Sequence, residues 1–370
     1  NVDWSSDVCS SDLMTQDKKD IFLFFRENDE AFDMSLETYC PTNKNFKYKG
    51  DLLICNPINI EGQNVEIECD YLLVLSKNVT LKGLRFKCSV LVNGVSKFHM
   101  DNCSIYDPNP AEGSLYLRSC SNVVLNDISI LNSGKVNPMQ ILDSSVMASN
   151  LKLANSSETL LVCHQNSSLV LSNSKFENGE ANAINVSESS ITIVNCKISN
   201  IKYPALYLSN SKVIAKKNQF DNVEQNCISV NECNNFKLEE NEITSIGGSA
   251  ISIMDESSGT ITNNVISNYG GNGIFVSKSS NVVAKCNELL GGKYPGIAIL
   301  IDSKAELINN KIYRSEFSGI CVRGANNVLI DSCSISNSSE CGISISDTKK
   351  CIIKNNKFEK CNYSIIESYN

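Results

Sequence analysis

The sequence has few of the residues from which reactive centres are usually built. Of its 370 residues only two are histidine, His99 and His164, and its 17 cysteines contain no Cys-x-x-C pair. Neither histidine shares a ligand-like spacing with a cysteine or an acid, which argues against a zinc site. There is no cluster of Lys and Arg, and the formal net charge is -8, so the electrostatic footprint of a nucleic-acid binder is missing. Apolar runs are short. Ile21–Phe25 is hemmed by acids and falls far below the ~20 residues of a membrane span, or the apolar stretch of a secretory leader.

The one tryptophan, Trp4, lies in Asp3–Leu13, a segment that resembles one reading frame of a synthetic sequencing adapter. Residues 1–13 are therefore set aside, which moves the net charge from -8 to about -5 and the cysteines from 17 to about 16. Met14 is then either the start or an internal residue, and a leader upstream stays open. Most cysteines sit at core-type positions and read as small buried apolar residues in a reducing compartment. That favours the cytoplasm, with secretion left open by the N-terminus. Sequons such as Asn78-Val79-Thr80 and Asn362-Tyr363-Ser364 are what an Asn- and Ser-rich chain produces by chance.

What the chain does have is a period. An aliphatic residue returns at Ile184, Leu206, Ile228, Ile251, Ile274, Ile297, Ile320, Ile343 and Ile365, in steps of 22 or 23. A second column keeps the step: Cys196, Asn218, Asn241, Asn264, Asn287, Asn310, Cys333 and Asn356. An apolar residue follows each at plus two, from Ile198 to Phe358, with predecessors in Phe86, Ile105, Ile130, Leu153 and Phe176. Such regularity is the mark of a repeat architecture. About 13 coils fit between Phe86 and Phe358, with one more around Ile58–Ile60. Stacked at ~4.8 Å, they would extend on the order of 60 Å.

Each repeat holds three short period-two stretches separated by polar turns, hence three strands per coil. Corresponding strands of successive coils then pair in parallel, and the Asn column becomes a ladder of stacked amides at one bend. A leucine-rich repeat shares the pattern Val328-x-Ile330-x-x-Cys333-x-Ile335. It would place a helix in the other half, which here is Ser/Asn/Gly-rich with a second alternating pair and is poor helix material. The expected layout is a small, partly helical N-terminal cap over 14–54, with a short helix at Asp20–Ala31, and one array over 55–370. The run Asp107–Gly113 is an inserted loop.

These Gly-Ile-x-Val and Asn-x-Ile signatures, over about residues 55–365, resemble the right-handed parallel β-helix of the pectin-lyase-like superfamily, as found in "right handed beta helix" repeat domains. The resemblance implies an all-β solenoid and is unspecific for function. Proteins sharing that fold include pectate lyases, polygalacturonases, alginate epimerases, copper-maturation proteins and F-box-type substrate-binding proteins. Polygalacturonases of this fold use Asp pairs and a Gly-His-Gly, but the chain has no Asp-Asp and neither histidine is so placed. The Asp-Pro-His-Asp of epimerases is matched by Asp107-Pro108-Asn109-Pro110 in two residues only, which also mark an ordinary turn.

Three groups of residues are candidates for function. Glu188, Asn210, Glu232, Asp255, Lys278, Gly324 and Asp347 follow the Ile-x-Val strand. Glu232 and Asp255, one coil apart, are weak catalytic candidates or a Ca²⁺ site, their carboxylates within ~5 Å. Tyr203, Tyr294 and Phe317 precede the same strand and form an aromatic column, Tyr294 and Phe317 in neighbouring coils. Alternation turns Met254, Phe275, Ala298 and Leu300 outward, with Tyr207, Cys321 and Arg323 extending them into an expected contiguous binding strip. The expectation is a monomeric, non-catalytic scaffold that binds a protein or polysaccharide on this face and needs no cofactor. The alternative is a polysaccharide lyase, epimerase or glycoside hydrolase, with Ca²⁺ in the lyase case.

Overall fold

The computed structural model describes residues 38–39, 45–47, 49–106, 108 and 113–368. The leader 1–13, the expected helix Asp20–Ala31 and most of the Asp107–Gly113 loop lie outside them. All regular structure among the described residues is β-strand, wound into a parallel solenoid of three sheets. One coil illustrates the rest. Asn234–Glu239 belongs to the first sheet, Glu242–Ile246 to the second and Ile251–Met254 to the third. One coil later Leu238 is matched by Ile261, Ile243 by Ile266 and Ile251 by Ile274, all in parallel register.

About 14 turns separate Thr38–Tyr39 from Cys351–Lys354, both in the first sheet. The apolar file from Phe86 to Phe358 runs unbroken through the second sheet, as its period requires. The coil pattern starts earlier than residue 55, because Thr38–Tyr39, Asn45–Lys47 and Leu52–Ile54 already pair with the next coil.

The interior is a single column of aliphatic and aromatic side chains, one set per strand per coil. At the bend between the first and second sheets stands the amide ladder. Asn241 donates from Nδ2 to Asn264 Oδ1 at 2.9 Å, Asn264 to Asn287 at 2.9 Å, and Asn287 to Asn310 at 3.0 Å. At Cys333 the amide step becomes a long contact of 3.9 Å from Asn310 Nδ2 to Sγ, since a thiol fills the space without matching the amide's bonding. The described cysteines are free and mostly buried. Burial pushes Cys163 up to about 12 and Cys196 up to about 11, so these thiols are poor nucleophiles.

The coils also turn at left-handed positions, three of them at Asn210, Lys217 and Asn222 in one coil. In the second sheet the pairing skips one residue per coil, and the skipped residues Asn155, Asn178, Asn200, Asn222, Ser245 and Asn268 have φ between 53° and 59°. Asparagine tolerates that conformation better than most residues, which explains its abundance there. Its amides stack outside as they do inside. Asn155 donates to Asn132 at 2.8 Å, Asn178 to Asn155 at 2.8 Å, Asn200 to Asn178 at 3.0 Å and Asn222 to Asn200 at 2.8 Å. This second, exposed ladder stops at Ser245, and the surface changes there.

Candidate functional site

The expected strip on the third sheet is not contiguous. Phe275 pairs with Ser252 on one side and Ala298 on the other, and Ala298 with Cys321. Ala298, with the smallest side chain of that file, is only 3% exposed between its larger neighbours. Met254 and Leu300 stand in the adjacent file, against Asn231 and Arg323. Tyr207 is cut off from Phe275 by Ser229 and Ser252, both buried. What remains is a half-buried Phe275 beside a buried alanine, with an exposed Arg323 across the sheet. A continuous apolar file lies instead on the first sheet, through Val124, Met147 and Val170, with Met147 57% exposed, and Ile214 follows beyond Thr192.

The acidic column is another of the left-handed turns. Glu188, Asn210, Glu232, Asp255, Lys278, Gly324 and Asp347 have φ between 45° and 61°. Glu232 and Asp255 are linked through their backbones, N–H to C=O at 3.1 Å. The Asp255 carboxylate faces Lys278 in an ion pair of 3.0 Å, so its nearest charge is a cation. Glu188, Asn210, Lys212 and Glu232 border an open groove of about 570 Å³. Among the described residues no group of three or more His, Cys, Asp or Glu is arranged to hold a metal.

The corner between the second and third sheets is different. One file there reads Glu180, Lys202, Glu224, Gly247, Gly270, Lys293, Glu316, and the next reads Tyr203, Gln225, Gly248, Gly271, Tyr294, Phe317. Lys202 and Glu180 close the upstream end as an ion pair. In two successive coils both positions are then glycine. Successive turns come so close that a Cβ on Gly247 would stand 2.1 Å from Glu224 O, and one on Gly270 2.2 Å from Gly247 O. The chain therefore admits no other residue there without moving backbone. The result is an open groove of about 620 Å³, with Lys293 and Arg314 on its banks. Among the described residues neither cation has an acidic partner, and Arg314 lies 5.2 Å from the Tyr313 ring centroid.

Tyr294 and Phe317 follow directly on Lys293 and Glu316, next to the residues that line the groove but not among them. Their rings stack with centroids 5.5 Å apart and planes 9° from parallel, and they are 50% and 43% exposed. Upstream of Tyr294 the neighbouring residue in its file is Gly271, so nothing of that file covers the ring on that side. Tyr203 lies four coils away from Tyr294 and does not join the stack. Polar banks, several glycines and a stacked aromatic pair close by suit a hydroxylated ring, which offers both C–H faces and hydrogen-bonding edges. The groove had a signal in the chain: the Gly-Gly pairs at 247–248 and 270–271 recur at the same step of 23.

Coil, ladder and register together define a parallel β-solenoid. The profile of the right handed beta helix region matches residues 158–293 and 256–370, more than half of the chain, and the protein belongs to that family. No curated protein matches it. Among solved structures it is similar to PfbA, a surface adhesin of Streptococcus pneumoniae, with 14% identity over 88% of this chain and 92% of that one and a TM-score of 0.36. It is similar to a mutant of the periplasmic alginate epimerase AlgG, with 11% identity over 80% and 77% and a TM-score of 0.48. A third is the alginate lyase AlyF-OU02, with 10% identity over 92% and 86% and a TM-score of 0.47. Likeness at this level carries nothing about activity. Among the described residues no helix is long and apolar enough to cross a membrane.

Proposed function

We propose that the protein is a non-catalytic solenoid that binds a glycan at the glycine-floored corner between its second and third sheets. The observation that carries this reading is the half-exposed Tyr294–Phe317 stack next to a groove that Gly247, Gly270, Gly291 and Gly292 keep open. The two rings offer a flat, half-exposed apolar face, and a pyranose can cover it while its hydroxyls meet the polar banks. The alternative of a lyase or epimerase acting through Glu232 and Asp255 has less support, because Lys278 already occupies the Asp255 carboxylate. No cofactor enters the reading.

The test is a panel of immobilised neutral and acidic glycans, followed by calorimetry on those that bind. Tyr294→Ala and Phe317→Ala should each weaken binding about tenfold, the effect of losing one stacked ring, at ~1.4 kcal/mol per decade. The strand signal in circular dichroism should not change. Binding that survives both substitutions removes this corner from the site.

A further inference from the structure

At the corner between the third and first sheets one residue is both strained and exposed. The left-handed file of Glu232, Asp255 and Lys278 continues through Ile301, one coil after Lys278 and one before Gly324. Its φ is 39°, against 45° to 61° for Glu188, Asn210, Glu232, Asp255, Lys278, Gly324 and Asp347. A β-branched residue is a rare occupant of this region, because its side chain crowds the backbone. The flanking coils hold it there: the Ile301 N–H donates to Arg323 O at 3.1 Å, and its C=O accepts from the Ser279 N–H at 3.1 Å. No burial offsets the strain, since the side chain is 57% exposed. Strain that the surroundings enforce gathers at ligand contacts and switch regions.

The neighbours of Ile301 give the contact a shape and a charge. Leu300 before it is half-buried and pairs with the exposed Arg323. Beside it in the next coil stands Gly324, where a Cβ would meet nothing nearer than Ile301 N and Cα, at 3.8 and 3.9 Å. The isoleucine therefore walls one side of a notch whose floor has no side chain. Lys278 and Asp255 neutralise each other in their ion pair. Apart from them, this turn and the next coil carry Lys304, Arg323, Lys349 and Lys350 against Asp302 and Asp347. Four cations around two carboxylates make a basic rim on a chain whose net charge is -8.

We infer that the Ile301 turn is the docking point for a short acidic and apolar segment of a partner protein, with an apolar side chain in the notch over Gly324 and a carboxylate on Arg323. The apolar side chain covers Ile301, and the carboxylate complements the rim. This corner is distinct from the one that carries Tyr294 and Phe317, so the inference does not depend on the glycan reading. Two substitutions act on the contact without harming the coil. Ile301→Asn removes the wall and relieves the strain, since asparagine tolerates the left-handed region. Gly324→Asn suits a φ of 61° and fills the notch.

The probe is a displayed library of random peptides, selected on the full chain, with the recovered sequences then measured by fluorescence anisotropy. They should combine Asp or Glu with Leu, Ile, Val or Phe, and bind more weakly as salt is raised. Ile301→Asn and Gly324→Asn should each weaken them about tenfold, as expected of an anchor and its pocket. Arg323→Gln should lower both the affinity and its salt dependence, while Tyr294→Ala should change neither. Ile301→Asn should also raise the urea midpoint, because function and stability oppose each other at this residue. No enrichment, peptides without acids, binding indifferent to Ile301→Asn, or a midpoint lowered by it would each overturn the inference. So would binding to phosphatidylserine vesicles that Ile301→Asn abolishes, which would make the occupant a membrane.

Discussion

Asn264→Ala should lower the stability of the solenoid by about 4 kcal/mol, read as a drop in the urea midpoint. The side chain is fully buried. Its Oδ1 accepts from both the backbone N–H and Nδ2 of Asn241, each at 2.9 Å, and its own Nδ2 donates to Leu238 O at 2.9 Å. Alanine leaves two donors and a carbonyl without partners inside the stack, at ~1–3 kcal/mol for each such group. Only the N–H of residue 264, bonded to Asn287 Oδ1 at 3.0 Å, is spared. Asn264→Cys should cost roughly half as much, because Cys196 and Cys333 already occupy the same file and a sulfur retains the volume. Since each coil touches only its neighbours, the loss should appear first as faster amide exchange in the coils of Asn241 and Asn264. A change under ~1 kcal/mol would mean that the ladder is not bonded as described.

The same ladder shows why the architecture could be read in the chain while the site could not. A repeat writes its interior at a fixed step, because every coil buries the same positions and meets the same bend. Asn264 was therefore legible from Asn241 and Asn287 alone. A binding surface is where the repeat is broken, and a break has no partner at plus 23 to announce its meaning. Gly247 and Gly270 stand where Lys202 and Glu224 stand earlier, and only the backbone contact of 2.1 Å explains why.

Outward-facing files were misjudged for a related reason. Alternation gives a side chain's direction, but not whether its neighbours in the adjacent coils are large enough to cover it. Ala298 points outward and is nonetheless buried, and Met254 belongs to a different file from Phe275. Tyr294 and Phe317 were legible together because they are one step apart, whereas Tyr203 merely shares their file.

A second large effect is expected beneath the groove, at Gly292. A Cβ on this residue would stand 1.8 Å from Tyr269 Cε2, so the phenol ring fills the space that a side chain would otherwise take. Tyr269 is buried, and burial pushes its hydroxyl up to about 12, with Ser315 offsetting part of the shift. The file Ile246, Tyr269, Gly292, Ser315 thus sets its largest side chain beside its smallest, and one ring spans two coils. Gly292→Ala should destabilise by about 3 kcal/mol, the upper end of what overpacking costs in a close-packed interior. Tyr269→Ile should cost a comparable ~3 kcal/mol through the void left over Gly292. The double variant should lose far less than the sum, since alanine then occupies the vacated space and isoleucine repeats Ile246. A coupling of about 2 kcal/mol in the double-mutant cycle is therefore expected, and strict additivity would show that ring and glycine do not share this space. Because Gly292 also lines the groove, Gly292→Ala should weaken glycan binding, and adding Tyr269→Ile should cost only about 1 kcal/mol further, in place of the ~3 kcal/mol it costs alone, without recovering affinity.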